Sequence, residues 1–309
     1  TFGNVPLVLN EATSADDDKE NVQVPIAQIY SQIAADLTEA ESSLPSTAKG
    51  GRATKGAAAA LLGKVYLTQG DKTSAASALK RVSGYSLVDN YTDLWGVENE
   101  FNKESIFEVS YESGYGVLGN LYTSAMNTEL GATVTSGPRN FPTKSLISSY
   151  EAGDTRFEAS IAGIGSEAVG FAADGAGWCI KYGTTNPSTD NDGPNNWVVL
   201  RYADVLLMLA EALGESTESY GYINQVRARA GLGAISSSTT GTFAEKLLQE
   251  RKVELAFEGH RWPDLKRFGV AASVMSSDPR AIDIRGRLNL AIPQREMDIN
   301  PDFVQNPGY

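Results

Sequence analysis

The strongest candidates for acid–base chemistry are three glutamates near the carboxyl end of the chain. Glu250, Glu254 and Glu258 follow one another at intervals of four residues, which places their carboxylates along one face of a helix. A pair of carboxylates is what a glycoside hydrolase needs for its acid and base roles. The same block is crowded with basic residues, namely Arg251, His260, Arg261, Lys266 and Arg267. We therefore predict that the glutamates form a partly buried ion-pair network that fastens the helix, and that they do not catalyse.

Residues that could hold a metal or attack a substrate are scarce. His260 is the single histidine, so it cannot form a multi-histidine metal set, and we predict a structural role for it between helices. Cys179 is the single cysteine, which excludes an intrachain disulfide, and its neighbours Trp178 and Ile180 indicate a buried thiol. Residues 190–193 lack the spacing of a calcium-binding EF-hand and are read as a polar turn. We predict no metal, no cofactor and no enzymatic activity.

Aromatic residues in the middle of the chain are better candidates for function. Tyr115 and Tyr122 lie in a glycine-rich stretch, and Asn120, Arg139 and Asn140 are close to them in sequence. Sugar rings present apolar C–H faces with hydroxyls around the edge, so flat aromatic rings rimmed by amides and charged groups suit them. We predict that these five residues bind a saccharide.

The tryptophans of the same region are more ambiguous. Trp178 stands beside a second polar loop and is included among the predicted ligand residues, but its strand-like surroundings equally favour packing in the core. Trp95 and Trp197 are assigned to the scaffold, because each adjoins a predicted helical segment.

The scaffold that positions these residues is predicted to be mainly α-helical. Apolar residues at helical spacing predict helices over residues 25–44, 199–213, 219–230 and 243–258, the last opened by a capping box from Thr242 to Glu245. Residues 54–69 and 72–83 predict a helical hairpin. Residues 84–198 are rich in loops, with short strands at 105–111 and 178–182, and such loops on a rigid scaffold are where ligand groups concentrate.

The hairpin follows the tetratricopeptide pattern. Leu62 and Gly63, then Tyr66, Ala75 and Leu79, occupy the positions that this repeat reserves for close helix packing. Because about three repeats are needed to bury a continuous core, the other predicted helices must complete the stack.

Composition and charge narrow the possible partners. The chain has 309 residues, of which 41% are hydrophobic, and 26 basic residues against 38 acidic ones give a net charge of −12. This balance opposes binding to nucleic acid and to anionic lipid. The sequence contains neither a membrane-spanning run nor a signal peptide in its first 20 residues.

Several segments, in the same order along the chain, resemble those of one protein family. They are residues 2–8, 51–57, 104–109, 150–156, 200–212, 250–269 and 291–301. Together they strongly resemble the SusD/RagB family of Bacteroidetes outer-membrane lipoproteins. The resemblance implies tetratricopeptide-like hairpins packed against a loop-rich region with a few short β-strands.

The function that this resemblance implies is nutrient capture. Such proteins hold an oligosaccharide at the cell surface, without cleaving it, and pass it to a SusC-like TonB-dependent transporter of the outer membrane. The resemblance also implies that residues 1–95 are the remainder of an amino-terminal tetratricopeptide-containing region, and that residues 96–309 are the carboxyl-terminal region, packed as one unit with it. The lipid anchor would belong to a preceding segment. Two alternatives remain from the residues alone: a tetratricopeptide adaptor that binds a protein or peptide, and a glycoside hydrolase.

Overall fold

The computed structural model describes residues 2–11, 13–14, 21–114, 141–164, 176–182, 193–277, 284 and 287–309. The chain divides into two compact units, Thr1–Glu39 with Trp262–Tyr309, and Ala40–Arg261. The boundary expected between residues 95 and 96 separates two regions of the family sequence and does not coincide with this division. That boundary stays a prediction.

Helices dominate the described residues, as the sequence predicted. Helix α1 (Ile26–Ser43) follows Pro25, and α2 (Lys55–Gln69) and α3 (Lys72–Leu79) form the predicted hairpin. Thr54 and Asp71 cap the amino ends of the two hairpin helices by accepting backbone N–H groups, and Gly70 joins them in a left-handed conformation at φ 82°. Each of these ends therefore has a residue that satisfies its free backbone groups.

The hairpin helices approach closely because small residues face each other. A Cβ atom added to Gly63 would lie 2.5 Å from Leu79 Cγ, so only glycine fits at this crossing. Ala57, Ala59 and Ala60 are buried in the same cluster. This is the helix contact that the tetratricopeptide pattern predicted.

The described residues contain further helices after the hairpin, of which α6, α7 and α8 are the longest. These helices are α4 (Lys144–Ile147), α5 (Arg156–Ser160), α6 (Tyr202–Leu213), α7 (Thr217–Arg229), α8 (Phe243–Glu254), α9 (Arg261–Arg267), α10 (Ala271–Ser277) and α11 (Gln294–Ile299). Helix α6 is buried from Ala203 to Ala212, more completely than its single apolar stripe predicted, because it packs against α3, α7 and α8.

Helix α8 ends earlier than the sequence predicted. Its expected end was residue 258, but Phe257 adopts a left-handed φ of 67° and Leu255 caps the helix. The predicted capping box is present, since Thr242 accepts the Glu245 N–H and Glu245 accepts the Thr242 N–H. The early end turns the main-chain carbonyls of Glu254 and Ala256 towards neighbouring side chains.

Six short strands form three antiparallel pairs among the described residues. Strand β1 (Val5–Pro6) pairs with β2 (Gln23–Val24), β3 (Ser105–Val109) with β6 (Trp197–Arg201), and β4 (Ile161–Ile164) with β5 (Ala176–Cys179). In the β3–β6 pair, Glu108 lies opposite Val198 and Val109 lies opposite Trp197. Ile106 and Leu200 of this pair join the core formed by α2, α3 and α6. The mainly α-helical fold with few short strands is thus confirmed.

Candidate ligand-binding site at the roots of two loops

Glu250, Glu254 and Glu258 form a buried ion-pair network, which reaches the candidate site through Lys181. Glu254 is fully buried and is paired with Arg201 at 2.5 Å, with Arg156 at 3.0 Å and with Arg229. Glu258 accepts from Arg201 Nε at 2.7 Å, and Glu250 accepts from Arg156 at 2.5 Å. The prediction of an ion-pair network for these three glutamates is confirmed.

Their charge states follow from burial and partners. Burial raises the pKa of Glu254, but Arg229, Arg201 and Arg156 outweigh it and hold the pKa below its usual range. Burial likewise opposes the lowering of the Glu258 pKa by Arg201 and Lys181. These carboxylates are sealed from solvent and fully engaged, so this trio offers no pair of accessible acid and base groups.

His260 also has the structural role that the sequence predicted. Its Nδ1 lies 3.1 Å from Lys64 Nζ and 3.7 Å from Asp204 Oδ2, and its side chain is buried. Burial lowers the pKa of His260 to about 4, against the attraction of Asp204. The imidazole is therefore neutral near pH 7, and Nδ1 accepts a hydrogen bond because the lysine ammonium can only donate.

Described residues on either side of the two loops predicted for the middle region meet at Asn196. In sequence, residues 115–140 come after β3, and residues 183–192 lie between Tyr182 and the segment that leads into β6. Asn196 Oδ1 accepts from Tyr111 N at 3.0 Å, and Asn196 Nδ2 donates to Glu108 Oε2 at 2.9 Å. Its own N–H donates to Glu100 Oε1 at 2.8 Å. We call this region the loop-root site.

A cluster of aromatic rings forms one side of the loop-root site. Tyr182 stacks on Trp197 with ring centroids 4.7 Å apart and an interplanar angle of 20°. Trp95 meets Tyr182 edge to face at 5.4 Å, and Tyr91 meets Trp95 at 5.9 Å. Tyr91 and Tyr182 are buried, whereas Trp95 and Trp197 are half-buried. The two tryptophans support the scaffold, as predicted, and also keep part of their surface open.

The cavity between these groups is small. It is lined by Leu94, Trp95, Gly96, Glu100, Glu108, Lys181, Tyr182, Asn195, Asn196 and Val198. Its volume of about 10 Å³ is room for about one water molecule, so a sugar ring cannot enter it. Burial raises the pKa of Glu100, against the Asn196 N–H that it accepts, which makes this carboxyl at the rim easier to protonate than an exposed one.

A larger cleft lies within the unit formed by Thr1–Glu39 and Trp262–Tyr309. Its volume is about 350 Å³, and its wall is mostly apolar, with Phe2, Ile292 and Phe303 among the lining residues. Its Gln23 is already engaged, because Oε1 accepts from Val304 N at 2.7 Å and Nε2 donates to Asn4 O at 3.1 Å. The wall of this cleft thus combines apolar side chains with a few polar ones, among them Asn21 and Glu296.

Most of the predicted ligand residues cannot be compared with the structure. Tyr115, Asn120, Tyr122, Arg139 and Asn140 all lie outside the described residues.

Trp178 is described, is 9% exposed and packs its ring over Gly163. This is the core-packing arrangement that the sequence left open, and a ligand role for Trp178 stays a prediction. The neighbouring Cys179 thiol is buried, and burial raises its pKa to about 11, as the sequence indicated.

Sequence reasoning missed the polar groups of the loop-root site. Glu100, Glu108 and Asn196 come together through the β3–β6 pairing, which joins positions nearly ninety residues apart. One feature of the sequence could have indicated these groups, because Asn195 and Asn196 directly precede a run of strand-forming residues. Among the described residues, no cluster of histidine, cysteine or acidic side chains could hold a metal ion. None of the helices described has the length and apolarity needed to cross a bilayer.

Comparisons with known proteins point in one direction. The sequence model of the SusD family matches residues 176–286. A solved structure described as a laminarin-binding SusD-like protein is 33% identical, with a TM-score of 0.82 over 100% of this chain and 75% of the other. Surface glycan-binding protein A from Bacteroides thetaiotaomicron, solved in complex with laminarihexaose, is 25% identical, with a TM-score of 0.76 over 92% of this chain and 71% of the other.

Curated relatives agree with the structural comparison. SusD-like protein P2 of Formosa agariphila is 28% identical over 100% of this chain and 70% of its own length. A SusD-like protein of Bacteroides ovatus is 31% identical over 84% of this chain, and the match spans 54% of that relative. The chain therefore corresponds to part of the length of these relatives.

Proposed function

This chain belongs to the SusD/RagB family, and from that membership we propose that it captures oligosaccharides at the cell surface without cleaving them. The observation that carries the proposal is the loop-root site, where described residues that flank two predicted loops bring half-buried tryptophans, amides and carboxylates together. Saccharides are bound by such combinations of ring faces and polar rims.

The similar structures suggest which saccharide to test first. One of them is described as binding laminarin, and another was solved with laminarihexaose. We propose laminarin-type oligosaccharides as the first ligands to test. The proposed contacts are Tyr115, Asn120, Tyr122, Arg139 and Asn140 on the longer loop, with Trp178 beside the shorter one.

The cellular setting is the second part of the proposal. In the full-length protein, an amino-terminal lipid would anchor the chain to the outer membrane, and the bound oligosaccharide would pass to a SusC-like TonB-dependent transporter. Cross-linking of the full-length protein in intact outer membranes tests this step. Recovery of a TonB-dependent transporter with it supports the transfer, and recovery of the lipoprotein without any transporter contradicts it.

Direct binding tests the first part. The purified chain is titrated calorimetrically with laminarihexaose and with a panel of unrelated oligosaccharides. We expect saturable binding with a Kd between about 1 μM and 1 mM, the range for a few stacked rings and a wet rim. Saturable binding of a peptide library, with none of any saccharide, would favour the adaptor alternative.

Cleavage is tested on the same samples. After prolonged incubation, chromatography of the oligosaccharides should show the starting chain lengths only. Shorter products that increase with protein concentration would favour the hydrolase alternative, and the responsible carboxylates would then have to be sought outside the sealed Glu250, Glu254 and Glu258.

A further inference from the structure

Lys181 is a buried cation that lines the loop-root site. Its side chain is fully buried, and its ammonium donates to Ala256 O at 2.8 Å, to Glu258 Oε1 at 2.9 Å and to Glu254 O at 3.3 Å. All three acceptors belong to the segment in which α8 ends. Of the residues described along the cavity wall, Lys181 is the one with a positive charge.

The same ammonium touches the aromatic cluster. It lies 4.8 Å from the ring centroid of Trp95 and 5.2 Å from that of Tyr91, within the range of cation–π attraction. The next residue along the chain is Tyr182, which stacks on Trp197. Lys181 therefore joins the Trp95 segment, the Tyr182–Trp197 ring pair and the end of α8.

The stability of the folded protein does not by itself explain why a lysine occupies position 181. Removing an ammonium from water costs several kcal/mol, and an apolar side chain of similar length at a buried ion-pair position is often equally stabilising. An ammonium has three N–H donors, and three acceptors already surround this one. It has no donor left for a ligand, so any effect on binding must act through its neighbours.

We propose that Lys181 is a positioning residue for saccharide binding, which holds Trp95 and Tyr182 in the ring cluster that lines the loop-root site. The proposal rests on the proposed function. It differs from a purely structural role because it ties the geometry of the ring cluster, and with it ligand affinity, to one buried charge.

The test compares Lys181→Met with Arg251→Met as a matched control. Arg251 is equally buried and pairs with Asp204 at 2.8 Å, in the separate ion-pair cluster around His260 and Lys64. Each variant is measured by thermal unfolding, by near-ultraviolet circular dichroism without ligand, and by titration with laminarihexaose at a temperature where it is folded. We expect Lys181→Met to change the near-ultraviolet spectrum and to weaken binding about tenfold, whereas Arg251→Met lowers the melting temperature and leaves Kd unchanged.

The possible outcomes distinguish a failure of the positioning role of Lys181 from a failure of the proposed saccharide binding. Equal Kd values and spectra for Lys181→Met and the wild type would overturn the positioning role. If the wild type binds no saccharide, the proposed function fails, and the spectrum still tests the link between Lys181 and the rings. If Lys181→Met does not fold, Lys181→Gln is used, because its amide can still donate to the surrounding acceptors but carries no charge. A smaller loss of affinity with the same spectral change then supports the proposal, and an unchanged spectrum contradicts it.

Discussion

At the scale of single residues, three buried glutamates pair with basic side chains from earlier parts of the chain. The spacing of Glu250, Glu254 and Glu258 and the basic residues around them were sufficient to predict ion pairs. Of the partners observed, Arg156, Arg201 and Lys181 lie about 50 to 100 residues earlier in the chain, and Arg227 and Arg229 lie about 25 residues earlier. Pairings over such separations depend on how helices and strands pack, which no local pattern encodes.

Glu254 provides the sharpest stability prediction. In Glu254→Gln the amide cannot neutralise Arg201, Arg229 and Arg156, so the buried arginines lose their shared counter-charge. We expect the free energy of unfolding to fall by about 3–5 kcal/mol, measured by urea denaturation. The control is Glu218→Gln, which breaks an exposed pair with Lys80 and should leave the urea midpoint unchanged. Equal effects of the two substitutions would argue against a buried network.

His260 makes stability depend on pH. The unfolded chain takes up a proton on this histidine below pH 6.5, whereas burial delays uptake in the folded chain to about pH 4. The unfolded state therefore gains protons first, and stability is lost as the pH falls from 6.5 towards 4, by on the order of 3 kcal/mol.

The measurement is urea unfolding of the wild type and of His260→Asn at pH 7, 5.5 and 4.5. The difference between the two proteins should shrink or reverse as the pH falls, because asparagine does not titrate. Curves that stay parallel over this interval would show that His260 keeps its ordinary pKa in the folded protein.

At the scale of helices and strands, apolar periodicity and capping residues predicted the positions of most of the longer helices. The capping box at Thr242, the hairpin α2–α3 and helix α7 occur where the sequence indicated them. The helix predicted over residues 199–213 begins at Tyr202, because residues 199–201 belong to strand β6, and α3 ends at Leu79 instead of residue 83. The end of α8 was predicted four residues too late, because Phe257 adopts a left-handed conformation without being a glycine, the residue that would have signalled it in the sequence. The polar rim of the loop-root site was missed because pairing of β3 with β6 creates it.

Two glycines test the packing of the helices. In Gly63→Ala the new methyl group would collide with Leu79, so we expect a loss of about 1–3 kcal/mol in the free energy of unfolding. Gly221 lies in α7 with open space around it, and Gly221→Ala should instead stabilise the protein by about 0.5–1 kcal/mol. Calorimetric melting of both variants gives the signs directly. Stabilisation by both would mean that α2 and α3 do not cross as closely as described.

At the scale of the whole molecule, the sequence predicted the fold class and the family, and both are confirmed. Many weak segments in a fixed order carried that conclusion, whereas a single hairpin would have fitted any tetratricopeptide protein. Ligand specificity is a different matter. In our proposal it depends on residues 115–140 and 183–192, and residue types alone do not define the shape that such segments adopt.

The most direct test of the account is a titration with laminarihexaose that compares the wild type with a double variant, Tyr115→Ala and Tyr122→Ala. Because ring faces are proposed to bind the sugar, we expect the double variant to lose about 1–3 kcal/mol of binding free energy while its far-ultraviolet circular dichroism stays unchanged. Tyr309→Ala, which removes an exposed ring stacked on Arg287, is the control and should bind like the wild type. Wild-type affinity in the double variant would contradict the claim that these loop tyrosines hold the saccharide.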